Sequence, residues 1–154
     1  MRRSPLVILG AGSTLRGDDG WAYYFLERLK EITPPGVFLL WGETTPENLL
    51  RPIEKIKPQE VLILDAGEIP ESKEGFMLFS PEELPYEPVI SHRFPLKILA
   101  SEIKRRTSAE VHFLLVQPEQ IEVGAEISMK VQITMEALFR FFASSFSKRG
   151  SPKT

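Results

Sequence analysis

Residues 5–11, Pro5-Leu6-Val7-Ile8-Leu9-Gly10-Ala11, form an almost unbroken apolar run ending in small side chains, the pattern of a strand buried on both faces. A loop over 12–17 follows. From Asp18 the pattern turns helical: Trp21, Tyr24, Phe25, Arg28, Leu29 and Ile32 share one broad face, and Thr33-Pro34-Pro35-Gly36 stops it. Residues 37–41 are a second apolar run. Thr45-Pro46-Glu47-Asn48 opens the next helix, with Thr45 as N-cap and Pro46 at the first helical position. That helix extends to about Ile56, with a bend at Pro52. Residues 61–66 predict a third buried strand and 76–79 a short fourth. The proline-rich stretch 81–88 reads as a long surface loop. Residues 95–104 are helical, with Leu96, Leu99, Ala100 and Ile103 at helical spacing; 111–116 are a further strand and 127–143 a long final helix. The polar tail 145–154 is expected to fray. No internal repeat or low-complexity linker interrupts the series, so 1–144 is expected to be a single α/β domain.

Short apolar strands alternating with amphipathic helices predict a mostly parallel sheet covered on both faces. In such sheets, ligands bind beyond the carboxyl ends of the strands. Two places therefore draw notice: 10–19, after the first strand, and Asp65, at the end of the third.

Composition narrows the classes of function. Of 154 residues 42% are hydrophobic, enough for a core, and the net charge of −2 provides no basic surplus for a phosphate backbone. Nucleic acid is accordingly not an expected partner. With no cysteine, the chain has neither a thiolate metal site nor a cysteine nucleophile of its own, and it suits a reducing cytoplasm. The start, Met1-Arg2-Arg3-Ser4-Pro5 and a short apolar run, lacks the length of a signal peptide, and no stretch approaches the roughly 20 apolar residues of a membrane span. The expectation is a cytoplasmic domain without a membrane partner.

Gly10-Ala11-Gly12 after a strand suggests a dinucleotide fingerprint, but the third glycine of that fingerprint would fall at Leu15. Asp18 and Asp19 would also repel a pyrophosphate at the helix start. A Gly-Lys-Ser/Thr ending for a phosphate loop is absent. Aspartate is a favoured N-cap, which explains one acid of the pair. The reading adopted assigns Asp18 as the cap and Asp19 as the group facing the cleft. Asp65 either bonds the amides of its own turn or faces the same cleft. Of the two histidines, His112 sits inside a strand and reads as a sheet residue, whereas His92 lies in a loop just before a helix, where functional side chains concentrate. Asp19, Asp65 and His92 together offer two carboxylates and an imidazole. Such a set suits a borderline divalent cation with open coordination positions, or general acid–base work; spacing does not choose between them.

In its ordered motifs, over roughly residues 6–142, the chain resembles the hydrogenase maturation endopeptidases. They are Gly10-Ala11-Gly12-Ser13-Thr14-Leu15-Arg16-Gly17-Asp18-Asp19-Gly20, Pro46-Glu47-Asn48, Leu64-Asp65-Ala66, Ser91-His92-Arg93-Phe94-Pro95-Leu96 and Gln117-Pro118. The resemblance implies a three-layer, phosphorylase/hydrolase-like α/β fold with a mixed, mostly parallel sheet of about five strands. It also implies removal of the C-terminal extension from a nickel-iron hydrogenase large-subunit precursor after nickel insertion. Asp19, Asp65 and His92 would be the metal-binding and catalytic residues, and nickel would be supplied by the substrate. Another divalent cation in the isolated protein is a further expectation. Two positions depart from the family pattern: Ser13, where asparagine is common, and Ala22, where glycine is usual. Thr44, Thr45 and Glu47 are expected to border the substrate groove. The alternative expectation is a relative that binds metal or precursor without cutting it, the change at Ser13 having removed activity.

Overall fold

The computed structural model describes residues 4–70, 74–84 and 94–149. Five strands form one sheet in the order β2-β1-β3-β5-β4. They are β1 (Leu6–Gly10), β2 (Val37–Trp41), β3 (Glu60–Ala66), β4 (Phe76–Phe79) and β5 (Glu110–Val116). The first four in spatial order run parallel; β4 pairs antiparallel with the outer side of β5. The mixed, mostly parallel sheet expected from the sequence is therefore present. β1 is central and buried at all five positions, because parallel strands with helices over both faces have no polar side to present.

The helices α1 (Trp21–Leu29) and α4 (Met129–Arg149) cover one face, and α2 (Leu50–Ile56) and α3 (Leu96–Thr107) the other. Alternate side chains of each strand divide between the two layers. Leu62, Leu64 and Ala66 of β3 pack with Trp21, Phe25, Leu138 and Phe142. Val61 and Ile63 pack with Ile53, Leu99 and Ile103. No helix among the described residues is long and apolar enough to cross a membrane.

Several element boundaries differ from the sequence reading. The segment beginning near Asp18 is first a 3₁₀ turn, Gly17–Gly20, and only then α1. Asp18 does not cap it: Arg16 occupies the N-cap position and no side chain bonds the turn's amides. The buried face of α1 is Trp21, Ala22, Phe25, Leu26 and Leu29, while Tyr24 turns outward at 44% exposure. Thr45 does hold the N-cap position with Pro46 after it, but its hydroxyl accepts from the Asn48 side chain at 3.2 Å rather than from a backbone N–H. Pro52 falls in the first turn of α2, where a missing amide hydrogen costs no helical bond. α4 continues through 145–149, part of the stretch expected to fray, because Phe146 is buried against Phe142.

The topology fixes where a site can form. From β1 the chain crosses by α1 to β2 on one side; β3 then lies on the other side of β1. Helix α1 packs on one face, while α3, which follows β3 and β4, packs on the opposite face. The connections leaving the carboxyl ends of β1 and β3 therefore lead toward opposite faces, the switch-point arrangement at which α/β sheets form a ligand crevice.

Candidate active site at the carboxyl ends of β1 and β3

The β1 end and the β3 end are locked together. Gly10 is level with Leu64, and the Ala11 amide donates to the Leu64 carbonyl at 2.9 Å. On the other side Gly42 N donates to Gly10 O and Gly12 N to Glu43 O, both at 2.8 Å. The root of the glycine loop is thus held between β3 and the loop after β2.

Beyond this root the chain makes a tight excursion over residues 13–19. Ser13 N donates to both the carbonyl (3.3 Å) and the Oδ2 (3.0 Å) of Asp19, and Asp19 N donates back to Arg16 O. Gly12 is required here. Its φ is +147°, and a Cβ at this position would stand 2.0 Å from the Asp19 carbonyl oxygen. Asp19 is consequently pulled down onto the end of β1, fully buried. Ser13 orients it through its backbone amide, which every residue except proline supplies. The Ser13 hydroxyl is engaged elsewhere, accepting from Leu15 N at 3.3 Å.

Asp65 is also fully buried, at the end of β3. Strand alternation puts its side chain on the same face as Ile63, the face covered by α2 and α3. Its Oδ1 accepts from Ala66 N at 2.8 Å, so Asp65 bonds the amide that follows it. The turn that follows is pinned to β5: Gly67 N donates to Val116 O, and Ile69 N donates to the Gln117 side-chain oxygen at 2.9 Å. Gln117, noted in the sequence only as part of a Gln-Pro turn, therefore supports the segment after Asp65.

Asp18, expected to cap its own helix, turns instead to the connection between β5 and α4. Its carboxylate accepts four hydrogen bonds. Oδ1 receives Ser128 N at 2.7 Å; Oδ2 receives Glu119 N at 2.8 Å, Gln120 N at 3.0 Å and Ser128 Oγ at 2.8 Å. Ser128 is the true cap of α4, its Oγ accepting from Val131 N at 3.3 Å. Sequence reading passed over Ser128, whose one signal was a serine directly before a long apolar-patterned helix.

His92 lies outside the described residues. The chain re-enters at Phe94, which packs with Leu96 and Leu99 on the α2–α3 face, the face to which Asp65 points. Among the described residues no three His, Asp or Glu side chains cluster closely enough to hold a metal ion. His112 is a sheet residue, as expected, near the amino end of β5. It borders two cavities of about 320 and 440 Å³, the first beside Ser80 and Lys104, the second beside Leu114 and Phe141. Both lie toward the amino ends of β3 and β5, at the opposite edge of the sheet from Asp65.

No family model matches the chain. A putative hydrogenase maturation protease of Methanocaldococcus jannaschii is 28% identical over 141 residues, covering 86% of this chain and 83% of the relative. The hydrogenase 3 maturation protease of Escherichia coli K12 is 23% identical over 135 residues, covering 87% and 86%. Among solved structures, the [NiFe] hydrogenase maturation protease HycI of Thermococcus kodakarensis superposes with a TM-score of 0.84 at 30% identity, covering 94% of each chain. Likeness in sequence and in fold thus extends over nearly the whole length: this chain belongs to the hydrogenase maturation proteases and is a peptidase.

Proposed function

We propose that the protein is an endopeptidase that removes the C-terminal extension of a nickel-iron hydrogenase large-subunit precursor once nickel has been inserted, and that Asp19, Asp65 and His92 read that nickel. The observation carrying this reading is the pair of fully buried carboxylates at the carboxyl ends of adjacent parallel strands, where the connections diverge. Burying an acid is costly unless it is matched by donors or a cation. The oxygens of the two acids, with one imidazole nitrogen, suit a borderline divalent ion and leave it room for other ligands. The ion belongs to the substrate. Without a cysteine this chain contributes no thiolate, so the nickel stays anchored to the precursor while Asp19, Asp65 and His92 supply oxygen and nitrogen contacts.

The chain's own groups then divide the work. Asp19 and Asp65 are oriented by the amides of Ser13 and Ala66, so their direction is set before substrate arrives. Nickel held there docks the scissile peptide beside two carboxylates, either of which can accept a proton from the attacking water. A precursor lacking nickel has no such anchor. The alternative of a non-cutting relative rested on Ser13, but Ser13 holds Asp19 through its amide, so that substitution leaves the contact intact.

The test uses a nickel-loaded precursor and follows its mass. The extension should be lost from that precursor and retained on the same precursor prepared without nickel. Asp19→Ala, Asp65→Ala and His92→Ala should each slow processing about 10²–10³-fold. Equal cleavage of the nickel-free precursor would remove the metal-reading mechanism, and full activity in any of the three variants would remove that residue from the site. Three ligands without a thiolate should bind Ni²⁺ only weakly in the isolated protein, as read by calorimetric titration.

A further inference from the structure

We propose that Asp18 is a positioning residue for the reaction: it fixes the rotational setting of the 3₁₀ turn that carries Asp19, using the β5–α4 connection as its abutment. The inference rests on reading Asp19 as a group that meets the substrate.

Asp18 is completely buried and saturated with donors, all of them from residues 119–128. The backbone returns the contact, Asp18 N donating to Gln120 O at 2.9 Å. Next to it Gly17, with φ +52°, lies so close under this connection that a Cβ would stand 2.6 Å from Gln120 O. The turn is therefore seated against the connection by side chain and backbone together. Asp18 also sits at the amino end of α4, where a carboxylate is favoured by the unpaired amides and the helix dipole.

In a 3₁₀ turn consecutive side chains diverge by about 120°. Once Asp18 is locked onto 119–128, the neighbouring side chain has one direction left to it. That direction is toward Ser13, whose amide holds the Asp19 Oδ2. The two acids of the tandem thus have separate roles: one grips the scaffold and the other is presented. A neutral amide does not replace Asp18. An asparagine would turn its NH₂ toward Ser128 N or toward the three donors on the other oxygen, and either arrangement sets donor against donor.

The test compares Asp18→Asn, Ser128→Ala and Phe142→Leu in the full chain, with nickel-loaded precursor as substrate. Phe142 is a buried α4 residue remote from the crevice, so its variant reports loss of helix packing alone. At a temperature where circular dichroism shows each variant folded, Asp18→Asn should lose about 10- to 100-fold in kcat with KM for the precursor little changed. Ser128→Ala, which keeps the amide contact, should show a smaller drop in the same parameter. Phe142→Leu should lose thermal midpoint without losing kcat. Wild-type kcat in folded Asp18→Asn and Ser128→Ala, or a loss in all three that merely tracks their midpoints, would overturn the positioning role. If Asp18→Asn does not fold, Ser128→Ala against Phe142→Leu carries the test. Asp19→Ala in the same assay separates the two readings. Abolished processing there with normal Asp18 and Ser128 variants removes only the positioning role; full processing there removes the reading of the site on which it rests.

Discussion

Ser128 and Asp18, 110 positions apart in the chain, are joined by two hydrogen bonds, amide to Oδ1 at 2.7 Å and hydroxyl to Oδ2 at 2.8 Å. This pair ties the amino end of α4 to the turn after β1. Truncating Ser128 to alanine removes the cap hydroxyl and one of the four donors, and should cost about 1–2 kcal/mol. Asp18→Ala strands all four donors and should cost more, about 3 kcal/mol or above. Urea unfolding measures both. Equal midpoints for Asp18→Ala and the parent protein would mean that the network contributes nothing to stability.

Gly12→Ala tests the seating of Asp19. A methyl 2.0 Å from the Asp19 carbonyl forces the turn off the end of β1. The expected result is a stability loss of about 2 kcal/mol or more, together with loss of processing. A variant that is less stable yet processes at the normal rate would show that Asp19 tolerates displacement.

Ser13→Asn tests whether the side chain at this position matters. Because the contact to Asp19 is made by the amide, the change should alter stability by no more than about 0.5 kcal/mol and leave processing unchanged. An increase of tenfold or more in rate would show that the side chain at position 13 takes part in the reaction.

Surface pairs should contribute a small part of the acid limb of stability. Arg28 on α1 bonds Glu136 on α4 at 2.6 Å, and this bond holds the Glu136 carboxyl below the usual value of 4.5. Glu27, Glu102 and Glu83 are lowered in the same direction, chiefly by hydrogen bonds from Lys30, Arg105 and the Ser80 backbone. A carboxyl with a folded-state pKa below its unfolded one stabilises the protein above the unfolded value, and loses that contribution as pH falls through the folded value. The urea midpoint should therefore be insensitive to these groups between about pH 5.5 and 8, and should decline below pH 4.5. Glu136→Gln should shallow that decline slightly, since both partners are substantially exposed and screened. An unchanged acid limb in Glu136→Gln would show that the pair does not contribute.

Much of the fold was legible because strands in this sheet are apolar runs, nearly unbroken in the buried β1, β3 and β5: the five strand segments stand within one residue of where the runs placed them. Helix beginnings were harder. Asp18 and Asp19 look alike in sequence, and only the return of residues 119–128, more than a hundred positions later, shows which faces the scaffold. The same holds for Gln117 and Ser128, whose partners, Ile69 and Asp18, are distant in the chain. Local periodicity carries no information about such contacts. Asp65 was placed correctly near the carboxyl end of its aliphatic run, one residue before the strand ends and still paired with Leu115. His92 stood out as a loop histidine ahead of a helix, but it lies outside the described residues.

The ladder between β1 and β3 continues without a break from Leu6 and Glu60 to the Ala11–Leu64 bond, directly beneath both acids. Asp65 is carried by β3 itself and Asp19 by the turn that follows β1, so the ladder gives their roots one fixed span. A gauge made in this way accepts or rejects what is offered to it but does not adjust its jaws, and a client that is incompletely assembled meets the same opening as a finished one.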